Sequence, residues 1–141
     1  MKYDVVCQSL EEDFRSRWTE TLLDAVQFPN VAFNSQLYDE YLSFAVQFGE
    51  AFKRSLPTGC YRQPGLLMVS AFTKPSVGTA RQLRLATVLA EMYNNAVIYA
   101  QDPLEAPVVK MFEPSMYSDT KERDGWIMAQ MSCPFYYDLE Y

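Results

Sequence analysis

The carboxylates gather in three groups, Glu11-Glu12-Asp13, Asp39-Glu40 and Asp119, Glu122 and Asp124, so a paired acid and base is the first chemistry to consider. Consecutive residues on a helix diverge around its axis, and the groups read as solvated surface rather than converging pairs. The run Asp119-Thr120-Lys121-Glu122-Arg123-Asp124-Gly125 has the acidity of a calcium loop, but bases stand where oxygen ligands are required and no bidentate glutamate follows. Cys60, beside Gly59 and Arg62, is the one thiol with a basic neighbour and so the candidate for a reactive cysteine. It has no histidine to act as its base, because the chain contains none. That absence also removes Ser-His-Asp and Cys-His nucleophiles, histidine-ligated zinc and an imidazole pH switch. Gly78-Thr79-Ala80-Arg81 could hold an anion on free amides, yet the Gly-Lys-Ser/Thr core of a phosphate loop is missing and helix capping explains it better. We therefore expect no catalytic residue, no cofactor and no metal site.

Interaction chemistry is what remains. Lys53, Arg54 and Arg62 make one segment basic on an acidic chain, which suits either solubilising charge or a salt bridge to an acidic neighbour such as another copy of the protein. Near the C-terminus, Phe135-Tyr136-Tyr137 and Tyr141 crowd together. A strand hides only alternate side chains, so Tyr136 or Tyr137, together with Tyr141, is left to face solvent or a partner.

The chain has 141 residues, of which 49% are hydrophobic, which suits a single domain spanning residues 1–141. Twelve Lys and Arg against 18 Asp and Glu give a net charge of -6, so the basic footprint of a nucleic-acid binder is lacking. Cys7, Cys60 and Cys133 are odd in number, far apart and outside any CxxC pattern, which argues against a disulfide framework and for a reducing compartment. Acidic residues by Glu11 interrupt any signal-peptide core, and no run approaches the ~18 apolar residues of a membrane span. A soluble protein made in a cytosol is expected.

These side chains need elements to position them. Tyr3, Val6, Leu10, Phe14, Trp18 and Leu22 recur every three or four positions and predict an amphipathic helix to about Leu23. Phe28-Pro29-Asn30 then leads into a short extended segment, Val31-Ala32-Phe33. Strict alternation over Tyr41 to Phe48 predicts a strand, and Leu66 to Thr73 a second, central one. Between them Gly49 to Pro64 is too long for a hairpin loop and is expected to project as an arm. Thr79 and Gln82 have capping-box spacing, opening a second helix with apolar positions Leu83, Ala86, Ala90, Tyr93 and Val97 and a stripe widened by Leu85, Val88, Leu89 and Met92. Asp102-Pro103 and Ala106-Pro107 close that element. Val108 to Phe112 reads as a strand, Glu113 to Gly125 as a loop, and Trp126 to about Tyr137 as the last strand, with Pro134 at an edge or leaving the sheet. The sum is an α+β fold, an antiparallel β-sheet with two main α-helices packed on one face and a long hairpin arm at about residues 49–64.

At this level the chain resembles the tail-terminator (tail-completion) proteins of long-tailed bacteriophages. The resemblance rests on Phe28-Pro29-Asn30-Val31-Ala32-Phe33, on Gly65-Leu66-Leu67-Met68-Val69 with Phe72, Pro75 and Gly78, and on Asp124-Gly125-Trp126 through Cys133-Pro134-Phe135-Tyr136-Tyr137-Asp138. It implies a structural virion subunit that forms a hexameric ring on the head-proximal end of the tail tube, stops polymerisation and offers the head-joining surface. The partners so implied are further copies of itself, the tail-tube protein and a head-completion or connector protein, with DNA only passing through the lumen and no membrane. The implied location is the head-tail junction of the virion, after assembly in the host cytoplasm. A closing ring needs a heterologous interface, for which the arm and the loop bearing Asp119, Glu122 and Arg123 are suitable devices. The alternatives are another head-tail connector or tail-tube protein and, more distantly, a small cytosolic enzyme or ligand-binding domain whose activity would depend on Cys60 or the carboxylates.

Overall fold

Period-two alternation governs the middle and end of the chain, and it builds four long ribbons side by side. The computed structural model describes residues 3–29, 31–55, 60–75, 79–99 and 108–140. Its elements are α1 (Tyr3–Arg17), β1 (Val26–Gln27), β2 (Glu40–Phe48), β3 (Phe52–Ser55), β4 (Cys60–Thr73), α2 (Thr79–Tyr93), β5 (Val97–Ile98), β6 (Val109–Met111), β7 (Ser115–Arg123) and β8 (Trp126–Glu140). The sheet order is β1-β2-β4-β8-β6-β5, with β3 paired to β4 and β7 to β8. β4 and β8 pair along their whole lengths, from Cys60 opposite Glu140 to Thr73 opposite Ile127. β3 therefore prolongs β2 along the other side of β4, and β7 prolongs β6 along the other side of β8. All pairs are antiparallel except β1 with β2. The α+β class, with an antiparallel sheet and two main helices, is as the sequence predicts.

Both helices lie on one face. Val6, Leu10 and Phe14 of α1 and Leu85, Leu89 and Tyr93 of α2 share a core with Leu42, Phe44, Leu67, Val69, Met131, Cys133, Phe135 and Tyr137 of the sheet. The register explains the selection, because Phe44 stands opposite Val69 and Val69 opposite Met131, so odd positions of β4 and β8 and even positions of β2 point the same way. Each large side chain buried here contributes about 1.5–3 kcal/mol. Phe14 anchors the aromatic part, with ring centroids 5.5 Å from Trp18, 5.9 Å from Phe28 and 5.4 Å from Phe44. Arg17 donates to the carbonyl of Met92 at 2.9 Å and ties the two helix ends together. At the other end of α2, Arg81 grips both oxygens of Glu40 at 2.8 and 2.9 Å and the carbonyl of Glu20 at 3.0 Å.

Several boundaries differ from expectation. α1 ends at Arg17 rather than near Leu23: Trp18 turns into the core with its indole N–H donating to Thr21 Oγ1 at 2.7 Å, and Leu22 is 75% exposed. The short strand is β1, not Val31 to Phe33, and Val26 and Phe28 take the buried places. α2 stops at Tyr93 because Asn95 adopts φ 52, a left-handed conformation that ends helices, so Val97 belongs to β5. Its buried stripe is Gln82, Leu85, Ala86, Leu89 and Tyr93, whereas Leu83 is exposed. Gln82 accepts a hydrogen bond from Thr73 at 3.1 Å, and the Thr79 side chain lies outside the described residues. The arm is a hairpin of β3 on an extended β4, and its tip, residues 56–59, lies outside the described residues, as do Asp102-Pro103 and Ala106-Pro107.

Two corrections matter for function. Glu113 to Gly125 is not a loop; most of it is β7, joined to β8 by a tight turn in which Asp124 has φ 54 and Gly125 φ 85. Left-handed geometry at both positions is the Asp-Gly hairpin signature. Pro134 is not at a sheet edge. It stands opposite Leu66 inside the sheet, at the step where the neighbour of β8 changes from β7 to β6, and its carbonyl accepts from the Phe112 N–H at 2.9 Å. A residue without an N–H is tolerated at such a break in the ladder.

Candidate functional site

The face of the sheet opposite the helices carries neither helix, and at its Tyr41 end the Phe33 ring packs 5.3 Å from Tyr41. The central positions of the face are Tyr41, Ser43, Ala45 and Gln47 of β2, Pro64, Leu66, Met68, Ser70 and Phe72 of β4, and Met128, Gln130, Ser132 and Pro134 of β8. None is charged, in a chain that is 21% charged. Most are half-buried by their neighbours, and Gln130 donates to the Ser70 hydroxyl at 3.2 Å. Depletion of charge is a feature of interface cores.

Aromatic clusters stand at both ends of this face. At one end Tyr136 lies between two cations, with the Arg62 guanidinium 4.0 Å and the Lys110 ammonium 5.8 Å from its ring, and with the Phe112 ring 5.2 Å away. Arg62 is fixed by a bidentate pair with Asp138 at 2.9 and 3.1 Å, and that hydrogen bonding raises the guanidinium pKa above its ordinary value. An aromatic ring held by a positioned arginine is a typical energetic centre of an interface. At the other end Tyr41 stacks on Phe72 at 4.7 Å and meets the edge of Trp126 at 4.9 Å. Burial raises the Tyr41 pKa. Lys74 completes that cluster, 5.7 Å from the Trp126 ring and 3.3 Å from Asp39.

The residues singled out from the sequence are distributed unevenly. Arg62 and Tyr136 come together in one cluster. Tyr137 is fully buried on the helix side, so Tyr136 is the member of the pair that faces outward, as alternation requires. Glu122 and Arg123 are exposed at the β7–β8 turn, and Asp119 is a backbone position of β7 opposite Met128. Lys53 and Arg54 belong to β3, while their side chains, that of Asp119 and all of Tyr141 lie outside the described residues. Lys110, Phe112 and Tyr117 escaped the sequence reading. The Asp-Gly hairpin signal would have found Tyr117, because it makes Ser115 to Arg123 a strand rather than a loop.

No group of three or more His, Cys, Asp or Glu able to hold a metal ion exists among the described residues. Burial pushes the Cys133 thiol up to about 11, the wrong direction for a nucleophile. No helix among the described residues is long and apolar enough to cross a membrane.

A model of the phage tail terminator protein family matches residues 6–135. The chain belongs to the phage tail terminator family. This match takes in most of α1, all of α2, both long hairpins up to the first part of β8, and so most of the sheet. A solved structure with no stated function superposes with a TM-score of 0.72 at 19% identity, covering 100% of this chain and 98% of its own, and so shares the fold. No curated protein sequence matches. Membership in this family makes the chain a phage tail structural protein.

Proposed function

We propose that the chain acts by surface complementarity rather than catalysis: copies close into a ring, hexameric as the family resemblance implies, that caps the head-proximal end of the tail tube. The ring ends tube growth and presents the surface to which a head-completion or connector protein attaches. The observation that supports this most directly is the uncharged, helix-free sheet face with its Arg62–Tyr136 centre, on a chain of the terminator family. Interface cores are depleted in charge and enriched in aromatic residues and arginine. Lys53, Arg54, Asp119, Glu122 and Arg123 then supply charged contacts at the margins between copies. The net charge of -6 suits a conduit, since carboxylates facing the lumen repel DNA phosphates and leave the DNA free to slide. On this reading the protein resides at the head-tail junction of the virion after assembly in the host cytoplasm.

The test is native mass across a concentration series, with negative-stain imaging, in the presence and absence of purified tail tubes. Closed rings, free or on tube ends, are expected. Single copies that neither associate nor bind tubes would overturn the proposal.

A further inference from the structure

Besides the short end strands β1 and β5, two strands of the sheet have an unpaired edge among the described residues. β7 pairs with β8 on one side only, and β3 with β4 on one side only. Unpaired edges template pairing with another strand, and proteins usually blunt them with charge, proline or a bulge. The far half of β7 has a charged sequence, Asp119-Thr120-Lys121-Glu122-Arg123, but Ser115-Met116-Tyr117-Ser118 carries no charge, with Met116 45% and Tyr117 56% exposed. β3 offers Phe52, 52% exposed, followed by Lys53 and Arg54, and no carboxylate.

The two edges fit each other, and only between copies. They border opposite sides of the sheet, separated by β4 and β8, so they cannot meet within one chain. β3 and β7 are each antiparallel to a strand of the antiparallel pair β4 and β8, so they run antiparallel to one another. Copies related by rotation about a ring axis keep the same sense, which makes a β7-to-β3 junction an antiparallel ladder. The faces match as well. Phe52 stands opposite Arg62 and Tyr117 opposite Gln130, so both exposed rings lie on the helix-free face and meet there when the edges join.

Resting on the assembly reading above, we infer that β7 of one copy pairs with β3 of the next, joining the sheets edge to edge around the ring. β3 lies beside the part of β4 that pairs with the end of β8, while β7 lies beside the start of β8, so the strands run obliquely to the ring axis. The arm is thus a donor of backbone hydrogen bonds as well as a flap.

The experiment uses the full chain carrying Phe52→Cys and Tyr117→Cys, with Cys7 and Cys60 changed to Ser, oxidised at concentrations where wild type associates. A ladder of disulfide-linked copies is expected, and none from either single variant alone. In parallel, Tyr117→Lys should raise the association midpoint at least tenfold, and amides of residues 115–118 should gain hydrogen-exchange protection on assembly. If wild type associates but no ladder forms and Tyr117→Lys associates normally, the edge junction is overturned while the assembly reading stands. A wild type that stays single, with and without tail tubes, overturns both.

Discussion

One sheet presents two surfaces that differ in kind. On the helix side Leu67, Val69, Met131, Cys133 and Phe135 are buried to between 0 and 1% exposure and knit into a single cluster with α1 and α2. On the other side, one residue further along the same strands, Leu66, Met68, Met128 and Ser132 sit half-exposed with no layer above them. The first surface spends its apolar area on folding, where close packing makes every methylene count. The second keeps apolar area in hand without charges to solvate it, and on the proposed assembly that area is what contact with other subunits would cover. The two surfaces should therefore answer to different assays, and substitutions can separate them.

The largest expected contrast lies between neighbours. Tyr137→Ala empties a fully buried site and should cost about 3–5 kcal/mol, the range for large aromatic truncations in a core. Tyr136→Ala, on the outward side, loses its contacts with Arg62, Lys110 and Phe112 and should cost only about 1 kcal/mol of fold stability. Its effect should fall on association instead. Thermal melts and native mass of the pair measure both; equal losses of melting temperature would erase the distinction between the faces.

Gly65→Ala comes next. A methyl there would fall 2.2 to 2.8 Å from the Phe135 ring, which is itself 1% exposed and has no space to retreat. Overpacking of this sort costs about 1–3 kcal/mol. A denaturation midpoint unchanged by the substitution would show that the ring can move. Gly65→Ala with Phe135→Leu should recover part of the loss, since the smaller side chain vacates the contested volume.

The contrast between the faces also explains what the sequence revealed and what it hid. Alternation over Tyr41 to Phe48 and over Trp126 to Cys133 named both faces correctly, because each strand is covered on one side only and the period is therefore strong. It could not reveal that β4 begins at Cys60, since Arg62, Gln63 and Pro64 look like loop and are made strand by pairing with Asp138, Tyr137 and Tyr136. β7 was hidden for a similar reason: Asp119 to Arg123 is all polar and shows no alternation, and only the Asp-Gly turn betrayed it. Leu22 fell in phase with the α1 stripe yet points to solvent, because tertiary packing of Trp18 ended the helix first. As for the candidate site, Arg62 and Tyr136 were both legible as residues, but their meeting across β4 and β8 needed a register that no local pattern specifies.

The covered face should also respond to alkaline pH. Burial raises the Cys133 thiol from its ordinary 9.0 to about 11, and raises Cys7 and Tyr93 as well. A folded-state pKa above the unfolded one stabilises the fold fully below the unfolded value, because the unfolded chain releases the proton first as pH rises. Melting temperature should accordingly hold steady up to about pH 9 and decline toward pH 11, and Cys133→Ala should flatten the first part of that decline. A decline of the same slope in the variant would assign it to the other groups.

The smallest effect on folding, and the sharpest use of the comparison, is expected at Met68. Its side chain lies on the open face between Ala45 and Ser132, only partly buried in the single chain, so Met68→Ser removes less apolar area from the fold than a change on the covered face does. The cost to folding should stay at about 1 kcal/mol, below that of fully burying the side chain. In an assembly that covers the face, the same side chain would be buried against a neighbour, and its loss would weaken association by the worth of a buried methionine, about 1.5–3 kcal/mol or at least tenfold in concentration. Melts under conditions where the chain is single should therefore fall only slightly below wild type while the association midpoint moves by more. If the melts fall slightly and the midpoint does not move, the centre of the open face faces the lumen or solvent, and contact between copies is confined to the sheet edges and the Tyr136 end.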